Sequence, residues 1–264
     1  RCALLFGRSY VTKPRGELRF PRGSSYMYSG RTGVRSLKSP DTQECYSFGM
    51  KVTKYAQSCL VIEEKGVKIL TDIGSYSETV PDVTGLAAVL ITHEHQDHFD
   101  LPKLQEVLAH NPEAQVITHT AVGEKLSEAG IAWMPIESGE TVTVSGISIE
   151  SFGTEHAIIY GATSPCRNTG FLIAGKLFMP GDALHDIPDS QVEILALPTG
   201  GPWHKMSEAI DYAKKVNPRV AFPIHDAMYT EHYKESSIPR WVGGQLEAAG
   251  ISFVNMLEND THEF

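Results

Sequence analysis

Cysteine is scarce in this chain of 264 residues: there are four, and no two are spaced as Cys-x-x-Cys. That spacing excludes a zinc ribbon and a thioredoxin-type redox pair. With Cys2 and Cys45 in a poorly patterned N-terminal stretch, a disulfide framework is not expected, and the setting read from the sequence is reducing and cytoplasmic. No run of eighteen apolar residues occurs, so no transmembrane helix and no membrane partner are expected. Positive charge is in deficit, with 23 Lys and Arg against 32 Asp and Glu, for a net charge of −9. The deficit is uneven. Residues 1–49 hold nine Lys/Arg and three Asp/Glu, whereas residues 50–264 hold fourteen and twenty-nine. The acidic part argues against a nucleic-acid footprint, and the expected partner is a small-molecule substrate, with a homo-oligomer left open.

Isoleucine is missing from residues 1–49, where Gly, Ser, Arg and Pro prevail without a helical or strand period. Such a stretch buries too little apolar surface to offset the entropy of ordering it. Residues 1–49 are therefore expected to be a disordered or non-native extension, read through from upstream or added by a misplaced start. A basic, Ser-rich leader is the rival reading, and a basic interaction arm the third. Residues 50–264 form the functional domain in this reading, beginning at Met50.

What the sequence does have is histidine in one place. Thr92-His93-Glu94-His95-Gln96-Asp97-His98 carries three imidazoles and a carboxylate within six residues, straight after the apolar run Leu86–Ile91. Imidazole and carboxylate at that density suit divalent cations of the zinc, manganese or iron kind. Three further apolar runs end on a side chain able to hold a metal: Phe152 before His156, Met179-Pro180-Gly181 before Asp182, and Phe222-Pro223-Ile224 before His225. Metal-bound imidazoles usually donate their outer N–H to a carboxylate or carbonyl, and Asp72 is the best candidate acceptor, ahead of Asp226. Asp100 reads as a helix N-cap. Trp203 is placed to wall a pocket, and His204 or Lys205 to meet an anionic group.

The order His-x-His-x-Asp-His, then His, then Gly-Asp, then His resembles the metallo-β-lactamase superfamily, as does Asp72-Ile73-Gly74 after a strand. Met50–Tyr55 leading into Ser58–Glu63, Asn168–Phe171, Pro198–Trp203 and Pro223–Asp226 resemble a narrower branch, that of ascorbate-6-phosphate lactonase and related hydrolases. Gln57 departs from that branch, many members of which have histidine there, and no role is carried over to it. The resemblance implies an α/β fold, a four-layer αββα sandwich. It implies two divalent ions, zinc or else manganese: His93, His95 and His156 hold one, Asp97, His98 and His225 the other, and Asp182 bridges them. It also implies hydrolysis of a small ester, lactone or phosphoester by a hydroxide between the ions, with Asp97 moving the proton. The alternatives are a phosphodiesterase or nuclease-like member and a metal-binding protein without activity. The second histidine of the first motif, His95, fits poorly with the oxygen-reducing members, whose motif resembles His-x-Glu-x-Asp.

Periodicity places strands near 50–55, 58–64, 67–73, 86–92 and 115–119, and a hairpin at Ser145-Gly146. Further strands are expected near 169–174, 176–180, 192–197, 219–224 and 251–256. Helices are expected over 101–110, from Thr120 to about 129, from 206 to Asn217 and near 238–249.

Overall fold

The computed structural model describes residues 49–77 and 80–264. The reading of residues 1–49 as an extension lies outside them, apart from Gly49, and so do Cys2 and Cys45. Deletion of residues 1–49 is expected to leave thermal unfolding and activity unchanged. An insoluble truncated protein, or one that loses its cooperative transition, would show that the segment packs on the domain.

Seven strands make the first sheet. β1 (Lys51–Ala56), β2 (Cys59–Glu64) and β3 (Val67–Thr71) run antiparallel, and β4 (Leu86–Ile91), β5 (Gln115–Thr118) and β6 (Met134–Pro135) continue parallel to β3. The second sheet contains β7 (Thr141–Val144), β8 (Ile147–Phe152), β9 (Gly170–Ile173), β10 (Leu177–Met179), β11 (Ile194–Pro198), β12 (Val220–Ile224) and β13 (Ser252–Phe253). Its pairings repeat the pattern, antiparallel from β7 to β10 and parallel from β10 to β13. β14 (Thr261–Glu263) returns to the first sheet, antiparallel to β1. Two hairpins turn where the sequence signals them. Lys65-Gly66 has φ of 52° and 78°, and Ser145-Gly146 has 49° and 85°. Two successive positive φ values match the right-handed twist of the strands they join, and glycine meets that demand at no steric cost.

Three apolar layers hold the fold together. Between the sheets, Leu60, Ile62, Ile69 and Leu90 meet Ile149, Phe171, Ile173 and Phe222. On one outer face, α1 (Leu101–His110) and α2 (Thr120–Glu128) lay Leu104, Val107, Val122 and Leu126 over Val89, Ile91 and Val116. On the other, α3 (Met206–Val216) and α4 (Gly244–Glu247) lay Ala209, Tyr212, Ala213 and Leu246 over Leu195, Leu197 and Ala221. This is the expected αββα sandwich. Among the described residues no helix is long and apolar enough to cross a membrane.

Local differences from the sequence reading have physical causes. Asp100 caps α1 as expected, its Oδ1 accepting from the Lys103 amide at 3.1 Å. The cap of α2 is His119 rather than Thr120: its extended backbone lets Nδ1 accept from the Ala121 amide at 3.2 Å. The helix expected near 238–249 is present but starts earlier and winds wider: two π-helical turns, Tyr233–Ser237 and Pro239–Gly243, run into the short α4. Pro239 has no N–H to give the ladder, which favours the wider spacing there. β14 is polar and exposed, so it has no alternation to read; edge pairing to β1 alone defines it.

Candidate metal centre

The four segments singled out in the sequence all leave the carboxyl ends of strands: β4 before His93–His98, β8 before His156, β10 before Asp182 and β12 before His225. Strand carboxyl ends are where open α/β sheets place ligands, because the backbone leaves the ladder there and its side chains are free to converge. They do converge. His93, His95, His156 and Asp182 form one group and Asp97, His98 and His225 a second, the ligand atoms of each lying within 4.8 Å of one another. Asp182 stands between them. Its Oδ2 is 3.3 Å from His156 Nε2 and 3.0 Å from His225 Nε2, and its Oδ1 is 3.2 Å from His98 Nε2.

The inner atoms fit a cation better than they fit each other. His93 Nε2 and His95 Nδ1 face at 3.1 Å. His98 Nε2, His156 Nε2, His225 Nε2 and Asp182 Oδ1 are buried yet have no hydrogen bond of acceptable geometry, despite the short separations. Buried polar atoms are nearly always satisfied, so several unsatisfied atoms aimed at one point mark a missing partner. The outer nitrogens are held from behind in four of the five rings. His93 Nδ1 meets Thr92 Oγ1 at 2.9 Å, His98 Nδ1 meets Asp72 Oδ2 at 2.7 Å, His156 Nδ1 donates to the Ala157 carbonyl at 2.6 Å, and His95 Nε2 lies 3.6 Å from Cys166 Sγ. That is the support a metal-ligating imidazole needs to fix its tautomer.

Electrostatics divide the rings. Burial and the neighbouring His98 drive His93 well below the usual imidazole range, and burial with His156 lowers His95, so both are neutral, the form that ligates. Burial also opposes charge on His225, but Asp182 and Asp97 outweigh it and raise the ring to about 9. His98 is likewise raised, by Asp182 and Asp72 against its burial. Burial disfavours the Asp97 and Asp182 carboxylates, yet the adjacent imidazoles overcome it, holding Asp97 down to about 2 and Asp182 well below its usual value. In the absence of an ion, protonated imidazoles thus balance the carboxylates, and a bound cation would take over that balance.

Backbone geometry fixes the set. Asp72, Gln57 and His225 all adopt positive φ, at 39°, 49° and 56°. Such conformations cost non-glycine residues about 1–3 kcal/mol each and persist where surrounding contacts impose them. Asp72 accepts from both the Thr92 amide and the Thr92 hydroxyl at 2.8 Å, in addition to His98. Gly74 explains the Asp-x-Gly pattern: a Cβ there would sit 1.9 Å from the Asp97 carbonyl oxygen. Asn168 fixes the Asp182 turn, its Oδ1 accepting from the Asp182 amide at 3.0 Å and its Nδ2 donating to the Pro180 carbonyl at 2.9 Å.

Of the residues read around the centre, Trp203 and His204 line a cavity as expected, whereas Lys205 and Asp226 fall elsewhere. Trp203 is 8% exposed, its ring 5.9 Å from His156 and 5.7 Å from His225. With His156 and His204 it lines a cavity of about 560 Å³. The His204 ring nitrogens lie 2.9 and 3.0 Å from the Gly200 and Lys205 carbonyls. Lys205 is not brought to the cavity: it sits at the N-cap of α3, with its Nζ in solvent 3.6 Å from Glu208. Asp226 is turned away from the ligands into a buried ion pair with Lys54, 2.7 Å long. Arg167 pairs with Glu137.

Gln57 has a place that the sequence did not reveal. Its Nε2 donates to Asp97 Oδ2 at 2.8 Å, its Oε1 accepts from the Ala227 amide at 3.0 Å, and its carbonyl accepts from the His225 amide at 3.0 Å. One buried side chain therefore ties together Asp97 and the turn carrying His225. A hydrogen bond to a charged group is worth roughly 1.5–3 kcal/mol. Gln57→Ala is expected to lower kcat about tenfold, with rescue by Gln57→His, which keeps an N–H donor. Unchanged kcat at full metal content would mean that Asp97 is held without Gln57.

Comparison with known proteins agrees with this geometry. Residues 51–225 match the family described as the Beta-lactamase superfamily domain, and that span takes in all seven converging side chains. A Mycobacterium tuberculosis protein, Rv0786c, is 35% identical over 184 residues, covering 68% of this chain and 85% of that one. The UPF0173 metal-dependent hydrolase MJ1163 of Methanocaldococcus jannaschii is 25% identical over 151 residues, 53% of this chain and 67% of that one. The fold is shared with Igni18, a metallo hydrolase of Ignicoccus hospitalis, with a TM-score of 0.64 and 20% identity over 81% of this chain and 98% of that one. The converging histidines and aspartates, the paired sheets and the match over residues 51–225 place the chain in the metallo-β-lactamase superfamily, among its metal-dependent hydrolases.

Proposed function

We propose that this hydrolase cleaves a small carboxylic ester, a lactone foremost, at a centre of two divalent ions of the zinc or manganese kind. The observation that carries the reading is the position of Asp182, whose two oxygens lie 3.0–3.3 Å from imidazoles of both ligand groups. His93, His95 and His156 would hold one ion, Asp97, His98 and His225 the other, and Asp182 both. When bound, such a pair polarises a carbonyl oxygen and lowers the pKa of water. The residues of the chain do the rest. Asp97 is ionised throughout the neutral range and can take up a proton, held in place by Gln57. Asp72, through Thr92 and His98, keeps the ligand rings from turning. Trp203 closes one side and limits water. The likeness of Asn168–Phe171 and Pro198–Trp203 to the lactonase branch favours a lactone over a phosphodiester.

The test is metal-loaded protein assayed against matched lactones, aryl esters, phosphodiesters and β-lactams. Lactone or ester turnover that a chelator abolishes and added metal restores is the expected result. Preference for a phosphodiester would move the protein to the nuclease-like reading. No turnover by protein carrying two ions would leave a metal-binding protein without activity.

A further inference from the structure

We infer that the substrate carries an uncharged apolar alkyl or aryl group, not a phosphate, and that this group occupies the cavity between Trp203 and the loop after His156. The inference rests on the ester-hydrolase reading above and specifies its substrate. Three observations support it.

The cavity has a volume of about 560 Å³ and reaches His156, so a group that fills it lies beside the ligand cluster. That volume lies within the roughly 300–1,000 Å³ of small-molecule sites. Its apolar wall consists of Trp203, Leu184, Ile158 and Tyr212.

The charges around it disfavour a phosphate. Apart from the imidazoles of His156, His185 and His204, the charged lining is Glu155, Glu208 and Asp211 against a single lysine, Lys215, and no arginine. A phosphate dianion is recognised by arginine forks, clustered lysines or helix N-terminal amides, and here it would face three carboxylates. Lys205, at the N-cap of α3, lies in solvent beside Glu208 and does not line the cavity.

The chain segments that supply the lining also carry exposed apolar residues. Ile158, Ile159 and Tyr160, which follow His156 almost at once, are 50%, 43% and 95% exposed, and Ile187, just beyond His185, is 38% exposed. Ile158 lines the cavity itself, and Ile159, Tyr160 and Ile187 lie within two residues in sequence of the lining residues Ile158 and His185; contiguous exposed apolar surface beside a pocket is what a binding surface requires.

The experiment compares three γ-lactones that react alike and differ in substituent: unsubstituted γ-butyrolactone, the hexyl-bearing γ-decalactone, and the phosphate ester of γ-hydroxymethyl-γ-butyrolactone. Metal-loaded full-length protein is expected to prefer γ-decalactone to γ-butyrolactone by about thirtyfold or more in kcat/KM, since each buried methylene contributes several-fold. It should turn over the phosphate ester no better than γ-butyrolactone. Ile158→Lys is expected to reduce the decalactone-to-butyrolactone ratio at least about tenfold. Binding is read separately from turnover, by calorimetry with the carbocyclic ketone analogue of γ-decalactone, which cannot be hydrolysed. If the ketone binds and Ile158→Lys weakens it while no lactone is cleaved, the pocket stands and the ester-hydrolase reading fails. If lactones are cleaved with equal kcat/KM, or the phosphate ester is preferred, the hydrolase reading stands and the apolar pocket is overturned. A change of oligomeric state in Ile158→Lys with the preference intact would also overturn it, assigning the patch to contact between copies.

Discussion

Asp182→Ala is expected to lower bound divalent metal from close to two ions per chain to one or fewer, and to reduce hydrolysis by about a thousandfold. Among the described residues the carboxylate is the one side-chain group within 3.3 Å of imidazoles from both ligand groups, so its removal weakens both sites together. Stabilisation by a metal pair amounts to several kcal/mol, and about 4 kcal/mol is roughly a thousandfold in rate. Asp182→Asn keeps the shape and removes the charge, so the same loss is expected of it if charge is what matters. Elemental analysis and activity on one preparation check both variants. Two ions retained with activity within threefold of the parent would refute a shared carboxylate.

The same site predicts how metal affinity depends on pH. Without an ion, His225 is raised to about 9, so its ring is protonated below that value and an entering cation must displace the proton. Apparent affinity should therefore rise with pH up to about 9, by about tenfold per pH unit for each proton displaced. His98, also raised, acts in the same direction. Calorimetry in buffers of different ionisation enthalpy counts the protons released; a count of zero would contradict this electrostatic picture.

Asp97→Asn is the second substitution expected to have a large effect. The amide is nearly isosteric but cannot accept the proton, and loss of a general base typically costs about 10²–10⁴-fold in rate. It also loses the charge that faces His225 Nε2 at 3.3 Å and His98 Nε2 at 3.5 Å. Metal content must therefore be measured beside kcat. A rate loss with both ions in place assigns Asp97 to proton transfer, a loss that tracks metal content assigns it to holding the ion, and an unchanged rate removes it from the mechanism.

Much of this protein can be read along the chain. Each of the four ligand-bearing segments follows an apolar run that forms a strand, but His119 after β5 meets the same rule; it is the motif order resembling the superfamily that implies His93, His95, Asp97, His98, His156, Asp182 and His225. The turns at Lys65-Gly66 and Ser145-Gly146, the Asp100 cap and the buried strand Leu86–Ile91 are local, and local chemistry suffices for them. Asp72 could be named as a partner of a ligand ring because it too ends a strand.

What only the tertiary structure decided has a common physical cause: it depends on pairs of residues distant in sequence. Gln57 meets Asp97 forty positions away, and Lys54 meets Asp226 across 172. A glutamine or lysine in an apolar stretch looks like an exposed exception until its buried partner is known, because the cost of burial is offset by a group elsewhere in the chain. The cavity is of the same kind. Trp203, Leu184, Ile158 and Tyr212 come from four separate segments, and the deficit of positive charge around them exists only once the loops are side by side. Motif order and residue type nominated the side chains able to bind a cation; the packing of one sheet on the other decided where those side chains point, and so what can reach them.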